Sequence, residues 1–308
     1  MRVDQAFALK SPHSYFGGSN DSAFVPDAGA ATAAPGATAP ATTTPVGLFV
    51  SNGGGTAPFT RVLNTPPPTL DYHEALIADL TTGDIFFGDQ DSSRWPLASV
   101  TKLMTAIVAS DTLSASQQVT ITPTDFAVDP NDTTLSVGDT YTVSDLMHIM
   151  LLQSSNVAAV ALADFYGQSR FMALMNARTA TIGMSHTYYG DPSGLSSANE
   201  STADDLVLLA QYVYNNYPNI LAITRTPSYT VTNLATGKKL TVRSINNFAG
   251  VPGFIGGKTG YTTVSDGNLL SIFSYENRPV LVIIMGTDDT ARFDNTTTLY
   301  NWFKQNFR

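Results

Sequence analysis

The hydrophobic pattern changes period twice between Tyr72 and the C-terminus, and this constrains the fold more than any other feature. It begins with two strand-like runs, "YHEALIADL" and "DIFFGD", joined by "TTG" as in a hairpin. Helical spacing follows. "SVTKLMTAIVASDTL" sets Leu103, Ile107 and Val108 on one face, with Ser99 in an N-cap-like place. "YTVSDLMHIMLL" (141–152), "NVAAVALADFYG", "SRFMALMNARTATIG" and "TADDLVLLAQYVYNNY" (202–217) predict further helices; Gly167 separates the third helix from the fourth, and the fifth ends before Pro218. The chain then returns to strands. "SYTVTNL" and "KLTVRSI" flank "ATGK", another hairpin signal, and "GFIGGKTGYTT", "NLLSIFSYENRP" and "VLVIIMGT" follow before an amphipathic helix, "ARFDNTTTLYNWFKQNF". Strands at both ends enclosing a helical middle predict an α/β (α+β) fold. Its simplest form is one antiparallel sheet flanked by helices, with an inserted all-helical lobe.

Residues 1–69 lie outside this pattern. "GAATAAPGATAPATTTPVG" (29–47) offers little to bury, so the composition predicts a disordered linker, ending in the stiff spacer "NTPPPT" (64–69). Residues 70–308 are the predicted folded domain. Sixteen basic residues stand against twenty-five acidic ones, a net charge of −9, with no basic run. Nucleic acid and anionic membrane surfaces are therefore excluded as partners. With no cysteine, disulfides and thiol catalysis are excluded too. The strongest apolar run, "PVLVIIMG" (279–286), is only strand-length, and the N-terminus lacks the apolar core of a signal peptide. No metal or other cofactor is expected. His13, His73, His148 and His186 do not pair at ligand spacing and read as structural. "TDFAVDPND" lacks the Ca²⁺-loop pattern and reads as a solvated loop, and "MGTDDT" reads as a turn.

Three short elements carry candidate chemistry. Ser99 and Lys102 stand three apart at a helix start, on one face, so the amine can reach the hydroxyl and, if shielded from water, act as its base. Alone this spacing reads by default as a capped helix with a surface lysine. Ser154–Ser155–Asn156 falls in a turn between two helices, where Ser154 and Asn156 can face a cleft or simply cap a helix. Lys258–Thr259–Gly260 lies in a strand whose glycines suggest close backbone approach by a ligand, with a charge and a hydroxyl suited to a carboxylate. A phosphate loop is rejected, because Pro252 and Val251 stand where its first glycine belongs and a strand follows instead of a helix.

In this order the three elements match the active-site set of penicillin-recognising serine enzymes. "RWPLASVTKLMTA", "LLQSSNVAAVALAD", "DPSGLSSANESTADDLVLLA" and "GGKTGYT" resemble, more narrowly, the low-molecular-mass penicillin-binding proteins, the serine D-alanyl-D-alanine carboxypeptidases. The resemblance runs from about Tyr72 to the C-terminus and implies a β-lactamase/transpeptidase-like fold. It implies Ser99 as nucleophile, Lys102 as base, and Ser154 and Asn156 completing the proton network. Lys258, also of the catalytic set, and Thr259 would face the substrate's terminal carboxylate, with Arg292 as a carboxylate-binding arginine, Gly260 and Tyr261 as further substrate-binding positions, and backbone N–H groups of Ser99 and Tyr261 as the oxyanion hole. Its substrate would be a peptidoglycan stem peptide, with β-lactams as covalent inhibitors. A DD-endopeptidase of the same family is the nearest alternative, and a class A-type β-lactamase a more distant one. The latter needs a water-activating glutamate, and only Glu200 lies between the second and third motifs. Val157 stands where the family has Asp, an expected change in helix capping more than chemistry, and Ser265–Asp266 where it has Ala-Gly. The family's C-terminal membrane helix has no counterpart in "NWFKQNFR". The implied site is extracytoplasmic, with the 29–69 linker as a tether from an upstream membrane segment.

Overall fold

A computed structural model of the chain describes residues 58–308. The linker reading of 1–57 lies outside the described residues. In chain order the elements are β1 (Glu74–Asp79), β2 (Ile85–Asp89), β3 (Trp95–Pro96), a 3₁₀ turn (Ala98–Thr101), α1 (Lys102–Thr112), β4 (Gln118–Thr120), α2 (Pro123–Ala127) and β5 (Thr140–Thr142). There follow α3 (Val143–Leu152), α4 (Asn156–Tyr166), α5 (Gln168–Ile182), β6 (Glu200–Ser201), α6 (Ala203–Asn216), α7 (Pro218–Thr224), β7 (Ser228–Thr232) and β8 (Lys239–Arg243). The chain closes with β9 (Phe254–Thr262), β10 (Asp266–Tyr275), β11 (Arg278–Thr287) and α8 (Ala291–Asn306).

The main sheet is antiparallel, in the order β2-β1-β11-β10-β9, so strands from both ends of the folded region pair across the inserted helices. Side chains alternate across a strand, and here both faces are covered. Ala75, Ile77, Val280, Val282 and Ile284 pack with Leu299, Trp302 and Phe303 of α8. Leu76, Ala78, Leu281, Ile283 and Met285 face the core shared with α1, α3, α4 and α6. This two-sided burial explains why β1 and β11 read as continuous apolar runs. Glu276 and Asn277, at φ +49° and +62°, make the two-residue turn joining β10 to β11, inside the run that had read as one strand.

Several expectations are corrected. The β7–β8 hairpin forms, but as a separate sheet against the helical lobe, where His148 stacks on Tyr229 with ring centroids 3.7 Å apart. α7 had no predicted counterpart; Pro218 starts it at its first position, where the missing N–H costs nothing. The "TDFAVDPND" stretch is not only a loop: α2 forms within it, held by a capping box between Thr122 and Asp125. Residues 58–65, within the predicted linker, lie along the end of α8. Phe59 is buried against Phe303, Thr60 and Arg308 exchange backbone hydrogen bonds, and Thr65 Oγ1 donates to Asn306 Oδ1 at 2.8 Å. Among the described residues no helix is long and apolar enough to cross a membrane.

Candidate active site

The three sequence elements converge at the edge of the sheet facing the helical lobe. Ser99 sits in the 3₁₀ turn that leads directly into α1. It does not cap the helix as expected: neither the turn nor α1 has a side-chain cap, and Ser99 Oγ is bonded to Lys102 Nζ at 2.8 Å. The preceding residue, Ala98, is held at φ +46°, a conformation costly for a residue with a Cβ. Neighbouring strands hold the turn in place. Asn268 Nδ2 of β10 donates to Pro96 O at 2.8 Å, Trp95 Nε1 to Ser265 O at 2.8 Å, and His73 stacks on Trp95.

Lys102 is fully buried, with 0% of its surface exposed. Its Nζ lies 2.8 Å from Asn156 Oδ1 and 2.6 Å from the Ser193 carbonyl, besides Ser99 Oγ. Two of these three partners are carbonyl oxygens that only accept, and the third is a hydroxyl that can also donate. A neutral amine, with two N–H bonds and one lone pair, fits that set. Burial lowers the amine's pKa from its ordinary 10.5 to about 7, against the upward pull of Asp191 and Asp129.

Ser154 stands between α3 and α4 at φ +62°. Ser155 caps α4 by accepting from Ala158 N–H at 3.1 Å, so Asn156 opens the helix with its amide on Lys102. Val157 is buried in the lobe core. Across the cleft, Lys258 Nζ donates to Ser154 Oγ at 2.9 Å and to Thr259 O at 2.8 Å. It too is buried; desolvation lowers its pKa well below the ordinary value, with the charges of Lys102 and Arg292 adding to the effect. β9 is the edge strand of the sheet. A Cβ on Gly260 would lie 2.8 Å from Leu97 O and 3.2 Å from Ser99 N, so the strand rests on the turn that carries Ser99 and has no room for a side chain there. Thr259 is buried, while Tyr261 is 50% exposed beside it. Arg292 is not at the surface: it is buried beneath β9, with Nη1 on Gly260 O at 2.7 Å and Nη2 on Asp289 at 2.8 Å. In the β9–β10 hairpin, Ser265 Oγ accepts from Thr262 N–H at 3.0 Å and Asp266 takes φ +50°.

Sequence reasoning missed the residues that hold these groups. Asp191 Oδ1 accepts from Ser193 N–H, Ser193 Oγ and Gly194 N–H, and Oδ2 from Ser196 N–H, all within 2.8 Å. Asn199 Nδ2 donates to Thr101 Oγ1 at 3.0 Å, tying the same loop to the 3₁₀ turn that carries Ser99. Gly194, at φ +90°, runs against Ala98: a Cβ there would fall 1.9 Å from Ala98 O. The spacing Asp-x-Ser-Gly was the available signal, since Asp favours turns that accept following N–H groups and Gly supplies positive φ. Glu200 belongs to β6 and pairs through its backbone with Pro96 and Tyr188, and no hydrogen bond joins its carboxylate to Ser99 or Lys102.

The chain matches a known family over most of its described length. The sequence model of peptidase family S11, described as D-alanyl-D-alanine carboxypeptidase, matches residues 61–289. The D-alanyl-D-alanine carboxypeptidase DacB2 of Mycobacterium tuberculosis is 32% identical over 235 residues, covering 74% of this chain and 80% of that protein. A D-alanyl-D-alanine endopeptidase of Pseudomonas aeruginosa is 31% identical over 277 residues, covering 84% and 87%. Penicillin-binding protein D2 of Listeria monocytogenes, solved in its ampicillin-bound form, superposes with a TM-score of 0.68 at 26% identity, covering 77% of this chain and 98% of that one. The fold is therefore that of the penicillin-binding DD-peptidases. The chain belongs to the serine D-alanyl-D-alanine carboxypeptidase family, S11.

Proposed function

We propose that Ser99 carries the family's carboxypeptidase reaction on peptidoglycan stem peptides ending in D-Ala-D-Ala. Ser99 Oγ attacks the carbonyl carbon between the last two residues as Lys102 Nζ takes its proton. Backbone N–H groups of Ser99 and Tyr261 hold the oxyanion; each such donor is worth about 10²–10³ in rate. A proton returns through Ser154 to the leaving nitrogen, the C–N bond breaks, and D-alanine departs. Water then attacks the Ser99 ester as Lys102 takes its proton; the bond between the acyl carbon and Ser99 Oγ breaks, Lys102 returns the proton to Ser99 Oγ, and the shortened peptide leaves. Lys258, Thr259 and the edge of β9 meet the terminal carboxylate, with Gly260 letting β9 rest against the turn of Ser99 and Arg292 adding its charge from beneath the strand. β-Lactams would acylate Ser99 by the same attack. The site would work in the extracytoplasmic wall space, with residues 29–57 as a tether from an upstream membrane segment and the domain beginning near residue 58.

The observation that supports this most strongly is Lys102, a fully buried amine whose contacts suit its neutral form, 2.8 Å from Ser99 Oγ. The Pseudomonas relative, named an endopeptidase and matched over 87% of its length, favours a second reading in which cross-links between stems are cut. The test is incubation with a stem pentapeptide and with cross-linked dimers. D-Alanine released from the pentapeptide, and none by Ser99→Ala, supports the first reading. Cleavage of dimers alone supports the second. Product formation by Ser99→Ala contradicts both.

A further inference from the structure

Two carboxylates from the acidic stretch after α2 close on the Ser154–Asn156 turn without entering the chemistry above. Asp129 Oδ2 accepts from Asn156 Nδ2 at 3.0 Å. Asp132 Oδ2 accepts from Ser155 Oγ at 2.6 Å, while its Oδ1 takes the backbone N–H groups of Thr134 and Leu135 at 2.7 and 3.0 Å. The turn they grip contains the left-handed Ser154. An amide has one accepting and one donating end. With Nδ2 on Asp129, Oδ1 must face Lys102 Nζ, as it does at 2.8 Å. A flipped amide would set donor against amine and an oxygen against the Asp129 carboxylate.

We infer that Asp129 is a positioning residue for acylation: beside Asp132, which holds the turn through Ser155, it selects the Asn156 orientation that Lys102 requires and sets a negative charge one amide away from that amine. The inference rests on the reading of Ser99 as nucleophile and Lys102 as base. The charges acting on Lys102 are Asp191, from the loop that supplies Ser193 O, and Asp129, which meets it through Asn156; Lys258 of β9, whose own amine feels the charges of Lys102 and Arg292, faces it across the cleft. Asp129 and Asp191 hold the amine's pKa up against burial. Removing the Asp129 charge therefore lowers it and makes the base available at lower pH.

The experiment is the acylation rate with benzylpenicillin from about pH 5 to 10, followed by intact mass, for the native protein, Asp129→Asn, Asp129→Ala and Ser99→Ala. Asparagine keeps the acceptor for Asn156 Nδ2 and loses the charge. The acid limb of its profile is expected to move down by about half to one pH unit. Alanine loses both, and its plateau is expected to fall at least about tenfold below that of Asp129→Asn. Profiles of both variants superimposing on the native one would overturn the inference. So would a lower plateau with an unmoved acid limb, which would make Asp129 a structural prop alone. An adduct on Ser99→Ala would overturn the parent reading instead, whatever the Asp129 variants did.

Discussion

Two lysines are buried within one cleft, and their surroundings differ in kind. Lys102 rises from the helical lobe and meets two carbonyl oxygens and a hydroxyl, with Asp129 and Asp191 near enough to act on its charge. Lys258 comes from the sheet edge and meets hydroxyls and one carbonyl, and the charges that act on it, Lys102 and Arg292, are both positive. Burial discourages the charged form of each. At Lys102 the acidic neighbours moderate that cost and leave the amine poised near neutrality, as a base requires. At Lys258 the positive neighbours compound it, and none of the groups that bond to it or act on its charge is an anion. A substrate carboxylate would supply one. Burial is common to both lysines; the signs of the nearby charges set them apart.

The largest effect should come from Lys102→Met, which keeps length and burial and removes the base. Acylation by benzylpenicillin is expected to fall about 10²–10⁴-fold, read by stopped-flow or timed mass spectrometry. In the native protein the same rate should rise through about pH 7, the pKa of Lys102, and level off above it, because the neutral amine is the active form. A rise centred near the ordinary lysine value of 10.5 would erase the contrast between the two sites. Next, Lys258→Gln should weaken processing of a free-acid peptide about tenfold or more, with little effect on its C-terminal amide. Kinetics on the paired substrates check this, and an equal loss on both would deny Lys258 a carboxylate.

Gly194→Ala tests the loop that offers Ser193 O to Lys102. Its Cβ must displace the backbone at Ala98, so a loss of about 2–4 kcal/mol is expected in denaturant unfolding, together with slower acylation. The smallest effect concerns Glu74, a buried ionisable group with no part in the chemistry. Desolvation raises its pKa from 4.5 to about 8, and Oε2 accepts from Ala203 N–H at the start of α6. Its folded pKa lies above its unfolded value, so the folded state holds the proton more tightly, and stability falls as pH rises from about 4.5 to 8. Glu74→Gln should flatten that slope and gain up to about 2 kcal/mol at pH 7 relative to pH 5 in urea titrations. An unchanged slope would show that burial at this junction does not govern titration.

Much of the frame was legible because strand and helix periods are strong signals over long elements. β1, β10, β11 and helices α3 to α6 fall close to where the sequence placed them. The short α2 and α7 were not, since helices of five and seven residues carry too little periodicity to register. The β7–β8 hairpin was legible as a hairpin, but its partner surface is set by packing against the lobe. At the site, Ser99, Lys102, Ser154, Asn156 and Lys258 were visible as motifs, and the structure brings their side chains together. The residues behind them were not visible. Asp129 reaches Asn156 from 27 residues away and Ser193 meets Lys102 across 91, and no local pattern encodes such pairings. Ser99 looked like a helix cap because Ser before an apolar run usually is one, whereas here its hydroxyl is taken by Lys102.

The central claim is that Ser99 is the nucleophile and Lys102 its base. Intact mass of the protein over time with benzylpenicillin, beside Ser99→Ala and followed by peptide mapping, tests it most directly. A lasting adduct of one penicillin mapped to Ser99, and none on the variant, is the expected result. An equal adduct on Ser99→Ala, or one mapped to another residue, would contradict it.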